Sequence, residues 1–233
     1  MMRSYTHLLS LLLLISSLLI SGCATNNSGF KISQLAKTDI DTVTDAHITE
    51  LKRLNRELAA KLYKRNPREL MKAGTADITA RIDLMFNRDS PQRQAEMNSL
   101  DGIDAVPLAF AEDYQGDRVY ALMAGMISML DASYNYKDEF FLLDELDHQK
   151  LYNSARNLET IAWRLNSLKK EDGDLFLLSN GVSPQGVKNL SFERIFGKMI
   201  ALQDMMANLV AGSSNRTITK VVHSVASTTL LPI

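Results

Sequence analysis

A single cysteine, a single tryptophan, five prolines and four histidines stand in a chain of 233 residues, and neither sign of charge dominates. Each scarcity removes something. Twenty-six Lys and Arg against 27 Asp and Glu leave a formal charge of -1, and no basic cluster tracks a phosphate backbone. Nucleic acid is therefore not an expected partner. No apolar stretch after residue 20 approaches the roughly 20 residues that a spanning helix needs. Phosphate-cradling glycine loops are missing. So is the Gly-x-Ser-x-Gly turn that presents a serine nucleophile.

What the chain does have begins at its start. Met1-Met2-Arg3 is followed by an apolar run from Leu8 to Ile20 and then by Ser21-Gly22-Cys23. A basic start, a short apolar stretch and small residues before a cut are the three parts of an export signal. Leu19-Ile20-Ser21-Gly22-Cys23 resembles the lipobox of bacterial lipoproteins: a branched aliphatic residue three places before the cysteine, two small residues, then the cysteine. The resemblance covers only the signal and its cleavage region. It implies cleavage after Gly22, a thioether-linked diacylglycerol on Cys23 and a further acyl chain on the new amine. Two or three such chains hold a protein stably in a bilayer, at about 0.8 kcal/mol per buried methylene. Ala24 follows, where an aspartate would imply retention at the inner membrane, so the resemblance implies an outer-membrane anchor facing the periplasm. A lipidated Cys23 would leave no free thiol, which excludes disulfides, thiol catalysis and cysteine metal sites. The expected organisation is a cleaved signal peptide over 1–22, a lipidated cysteine and flexible tether over 23–35, and one α-helical domain over 36–233.

Helical periodicity carries most of that domain. Leu51, Leu54, Leu58 and Leu62 predict a helix from Thr38 or Asp39 to about Arg65. Asn66-Pro67-Arg68-Glu69 reads as an N-cap, a first helical position and a third-position glutamate reaching back to the cap. That short helix should end by Gly74, and another should cover Ala76 to Phe86. Residues 87–107 read as a connection with one helical turn at most, with a short helix after Pro107. Asp117 should cap a helix from Arg118 to Tyr134. Large residues (Val119, Leu122, Met123, Met126, Leu130) form one stripe of it and small ones (Ala121, Gly125, Ser128, Ala132) another, as in a central helix whose small face meets a neighbour's backbone. Asp147 should cap a helix from His148 to Leu168, built on the Leu151, Ala155, Leu158, Ala162, Leu165 seam. The Ser179-to-Gly186 stretch reads as part of a long loop around the apolar cluster Leu175 to Leu178. Ser191 should cap a last long helix to Ala211, with Gly212 at its C-cap and Leu209 among its buried residues. The segment from Arg216 to Thr228 also has helical spacing. No tandem repeat is evident. The expected class is all-α, an irregular bundle of about six to eight helices with short loops.

Few constellations carry chemistry. Glu145 and His148 have the spacing of a metal-binding pair, but di-iron bundles need two such pairs and further glutamates. His47 and Glu50 show the reverse order. Capping and solvated surface account for all four, so no metal and no cofactor are expected. The Glu-Ser pair that lytic transglycosylases use is absent. The acidic run Tyr136-Lys-Asp-Glu-Phe-Phe-Leu-Leu-Asp-Glu-Leu-Asp-His148 reads either as an acid pair near a cleft or as a solvated face before a cap. Tyr152, Arg156, Glu159 and Trp163 form a second face of their helix. Such residue types are enriched in interface hot spots, so this face is a candidate partner surface; the alternative is a helix covered on both sides with Arg156 paired inside. Eleven methionines either fill core gaps or line a groove for an apolar ligand. The leading expectation is a non-enzymatic scaffold or interaction protein with an envelope protein partner. An apolar or lipid ligand-binding lipoprotein and a cell-wall enzyme of unfamiliar type are the alternatives.

Overall fold

Thr38 sits in extended backbone, and its hydroxyl accepts the Asp41 N–H while the Asp41 carboxylate accepts the Thr38 N–H. This reciprocal cap starts helix α1 (Asp39–Arg65), whose 27 residues make it about 40 Å long. The computed structural model describes residues 37–141, 144–214, 217–219 and 229–233. Cys23 and its lipobox lie outside the described residues. The leucine stripe of α1 is buried as its period demands, with Leu54, Leu58 and Leu62 fully covered.

Short elements follow. Helix α2 (Pro67–Lys72) has proline in its first turn, but the cap expected from Asn66 and Glu69 is not formed. The Asn66 amide instead donates to the Leu62 and Leu178 carbonyls and accepts the Leu178 N–H. Glu69 is buried and accepts from Lys72 and from the Arg118 backbone N–H at 2.7 Å. Helix α3 (Ile78–Phe86) starts on an Asp77 cap. The stretch expected to be irregular holds helix α4 (Pro91–Glu96) and a 3-10 helix over Gly102–Phe110, with Pro107 inside it rather than ahead of it. Ala105, Val106 and Ala109 of that segment are small enough to bury directly against the next helix.

That next helix, α5 (Arg118–Ser133), is the centre of the fold. Every residue from Arg118 to Leu130 is buried, and the Asp117 carboxylate accepts the Tyr120 N–H at its start. The small stripe has the predicted purpose. A Cβ on Gly125 would lie 3.0 Å from the Val106 nitrogen and 3.2 Å from the Gly102 carbonyl oxygen. Glycine leaves the room that the 3-10 backbone takes up on this face, and a Cβ would need that backbone to give by a few tenths of an ångström.

Helices α6 (His148–Ser167) and α7 (Ser191–Ser213) pack along one another and close the core. Met123, Met126, Met129, Met199 and Met206 are fully covered within it. Gln203 carries a buried polar knot, accepting from Tyr134 and donating to Ser133 and Ser154. The start of α7 corrects one expectation: Ser191 is inside the helix, its N–H accepted by the Asn189 side chain, and no side chain caps at position 190. The helix also runs through Gly212 to Ser213, and Leu209 is exposed rather than buried.

Between α6 and α7 stands a feature the sequence reading took for loop. Strands β1 (Gly181–Val182) and β2 (Lys188–Asn189) pair antiparallel, with Val182 opposite Lys188. Ser183-Pro184-Gln185-Gly186 closes the hairpin: the Ser183 carbonyl accepts the Gly186 N–H, and Gly186 takes φ +78°. Proline second and a left-handed glycine last is the chemistry of a type I turn with a bulge.

The expected helix at 216–228 lies almost wholly outside the described residues. Of it, Thr217, Ile218 and Thr219 are described and carry no regular structure. Amide side chains at three successive turns of α6 hold the late chain instead. Gln149 exchanges hydrogen bonds with the Thr219 backbone, Asn153 donates to the Pro232 carbonyl, and Asn157 both donates to and accepts from Leu231. Leu230 and Ile233 pack on the core. With helices dominating and one two-stranded sheet, the fold is all-α, as expected.

Candidate functional site

The richest cluster of ionisable groups joins α1, α3, α4 and α5. Asp117 accepts from Tyr63 Oη at 2.7 Å and from Arg81 Nε at 3.1 Å, besides capping α5. The other side of the Arg81 guanidinium forms a two-pronged pair with Glu96, which Gln92 also donates to. The guanidinium lies 3.8 Å from the centre of the Tyr120 ring, a cation–π contact. Burial pushes the Asp117 carboxyl up in spite of its donors. Burial acts on Glu96 in the same direction, but the bonds from Arg81 and Gln92 outweigh it and hold that group low. Burial also raises the Tyr63 phenol far above its ordinary value. This cluster ties four helices together, and each of its charged groups is answered by another.

The acidic run before α6 is largely the solvated face ahead of a cap, with Asp138, Glu139, Glu145 and Asp147 exposed. Asp45 accepts the Phe140 N–H and pairs with Lys37, Asp138 pairs with Lys52, and Asp144 accepts the Phe141 N–H and pairs with Lys137. Glu145 is exposed ahead of the helix, and Asp147 caps it by accepting from Gln149 and Lys150. His47 is buried on α1 and Glu50 pairs with Arg53. Among the described residues no group of three His, Asp or Glu stands together as a metal site.

Tyr152, Arg156, Glu159 and Trp163 do share one face of α6. Tyr152 is buried under the Arg156 guanidinium, 4.9 Å from its ring centre. Arg156 reaches Glu159 at 3.0 Å and Asp204 of α7 at 2.7 Å. Glu159 and Trp163 are partly exposed at its rim. The face thus lies along the seam between α6 and α7.

A more open site lies at the far end of α1. Arg65, Arg68 and Lys170 line a cleft of about 500 Å³ whose floor is Leu175, Phe176 and Leu178. The floor is held from beneath: Phe176 stacks edge-on against Phe110 with centres 6.0 Å apart, and Arg118 lies over it at 5.1 Å. The Asn66 amide clasps the Leu178 backbone from the α1 side. Asp174 is also on the wall, yet among the described residues no carboxylate comes within 4.0 Å of Arg65, Arg68 or Lys170. The hairpin adjoins this cleft, with Gly181 against the Arg65 guanidinium. From it Val182, Val187 and Leu190 stand out, 63%, 67% and 55% exposed, with Leu178 beside them at 47%.

Sequence reasoning did not find this end. The signal was present: Val182 and Val187 flank Ser-Pro-Gln-Gly, and the turn makes them neighbours. No protein family, no curated protein and no solved structure matches this chain.

Proposed function

We propose that this chain is a lipid-anchored protein of the bacterial envelope, held in the outer membrane by acyl chains on Cys23 and facing the periplasm. In this reading its helical domain acts without catalysis, as a scaffold or interaction protein that engages a second envelope component. The lipobox resemblance at Leu19 to Cys23 supports the anchor. One observation carries the interaction half: Val182, Val187 and Leu190 of the hairpin segment and nearby Leu178 are each about half exposed or more, beside three cations that no carboxylate meets within 4.0 Å among the described residues. Aliphatic side chains displayed in this way are costly in water and mark contact surfaces.

The interaction reading is further supported by where that end lies. The chain enters the domain at Lys37, beside the start of α1, and Arg65 closes the helix about 40 Å away. The ionisable groups of the Arg81 cluster hold helices to one another, which fits a scaffold better than a cell-wall enzyme. The buried methionines fill the core, which fits the same reading better than an apolar ligand groove.

Metabolic labelling with an alkyne fatty acid tests the anchor. Wild-type protein should take the label and Cys23→Ala should not; an unlabelled wild type would overturn the assignment. In-cell crosslinking from a photoreactive residue at position 190 tests the contact surface. Envelope material should be captured there and not from the same probe at Met205, and equal yields at both would remove the interaction half.

A further inference from the structure

The tip of the hairpin is apolar on both of its faces. Directly opposed residues share a face, so Val182 stands with Lys188, while Ser183 faces Val187 one step along the ribbon and therefore on the other side. A flat partner covers one face of such a ribbon. Covering both takes a surrounding medium or a pocket that closes around the tip. Beside the ribbon the cleft sets Arg65, Arg68 and Lys170 against Glu69 and Asp174; Glu69 is paired with Lys72, and among the described residues no carboxylate lies within 4.0 Å of the three cations, so positive charge predominates.

Resting on the reading of the chain as an envelope protein, we propose that its second contact is an anionic bilayer surface. Val182, Val187 and Leu190 enter the boundary between headgroups and acyl chains, and Arg65, Arg68 and Lys170 meet the lipid phosphates. Apolar side chains with cations at their rim are what this interface selects, because stems are buried while charges stay among headgroups. Near a negatively charged leaflet each cation strengthens partitioning about fivefold, so three together give roughly a hundredfold. That attraction falls as salt shortens the range of the surface field. The protein then touches membrane twice, covalently through Cys23 and reversibly through the hairpin.

The test uses the lipidated full chain with Val187→Cys, carrying an environment-sensitive fluorophore. An acylated Cys23 cannot take the dye, so intact mass reports anchoring separately: one dye with fatty acid if Cys23 is lipidated, two dyes without it. In vesicles of phosphatidylcholine with a third of phosphatidylglycerol, the dye should shift to the blue and be quenched by spin-labelled lipid. In phosphatidylcholine alone it should stay water-like, as should the same dye at Met205→Cys in both. Replacing Arg65, Arg68 and Lys170 by Ala should reduce tip insertion roughly a hundredfold with unchanged helix content. A tip that stays water-like in anionic vesicles overturns the proposal. Insertion that is equal in neutral lipid, or a shift that needs added envelope protein, overturns it too, the last in favour of a protein pocket.

Discussion

Two groups of arginines in this molecule differ sharply in setting. Arg81, Arg93 and Arg118 are buried, and each is met by acceptors: Asp117 and Glu96 for the first, Asp101 and the Ala124 carbonyl for the second, and the carbonyls of Ala109, Ala111 and Tyr114 for the third. Arg65, the last residue of α1, and Arg68 in α2 are exposed, and among the described residues no carboxylate lies within 4.0 Å of them. Taking a guanidinium out of water costs several kcal/mol unless partners replace the water, so the buried set must be answered from within. The exposed set is under no such demand. Its charge is met by water, and the same end leaves its aliphatic residues uncovered. One region has turned polar chemistry inward to fix helices, and the other holds it open.

Breaking the first region should have the largest effect. Arg81→Met leaves Asp117 and Glu96 with neutral donors but no cation, and removing one partner of a buried pair costs about 3–5 kcal/mol. Urea denaturation should show that loss, and a change within about 0.5 kcal/mol would mean that the cluster does not hold the helices. Next comes the contact behind that cluster. Gly125→Ala pushes a methyl against the Val106 nitrogen and should destabilise by about 1–3 kcal/mol. A thermal midpoint equal to wild type would show that the 3-10 segment can move away.

A third prediction concerns an acid that lacks an answer on the inside. Burial pushes Asp131 up to about 6, with Lys52 and Arg88 opposing. Its folded value lies above the unfolded value of about 3.9, so the folded state binds the proton first. Stability from this group therefore rises as pH falls from about 6 towards 4, and is lost as pH climbs through 6. Asp131→Asn should stabilise the protein by about 1–2 kcal/mol at pH 7 and flatten that slope in denaturation series. A variant that keeps the wild-type slope would place its origin elsewhere. His47 works against it: burial lowers its value, so its contribution falls as pH drops below about 6.5. The smallest effect belongs to the open end. Arg65→Ala, Arg68→Ala and Lys170→Ala should each shift stability by less than about 0.5 kcal/mol in the same assay. A larger loss would mean that these cations belong to the fold.

Most of the helical frame was legible from periodicity and caps. The Thr38, Asp117 and Asp147 starts depend on neighbours two or three residues away, so local sequence suffices for them, whereas the Asp77 cap was passed over and its helix placed two residues early. Gly125 was legible as a close approach because the small residues recur on one helical face. Asn66 misled, since its side chain is claimed by Leu178, 112 residues on, and no local rule contains that partner. Leu209 misled because its apolar character gives its phase on α7 but not whether a neighbour exists there. The 3-10 helix was missed since short segments of that type lack a distinctive period. The open end was missed for a related reason: two-residue strands are too brief to show alternation, and only the turn marks them. Arg156 was ambiguous because Asp204, the group that draws it to α7, is on another helix.

The amides of α6 have a consequence for the last described residues. Asn153 and Asn157 grip Pro232 and Leu231 only through backbone atoms, while Leu230 and Ile233 are chosen for fit against the core. That combination, two side-chain anchors around two positions clasped by main chain, is the logic of a short linear motif in its receptor. The tail is thus seated as a peptide ligand bound in cis would be, with side-chain fit at Leu230 and Ile233 and main-chain bonds at the two positions between.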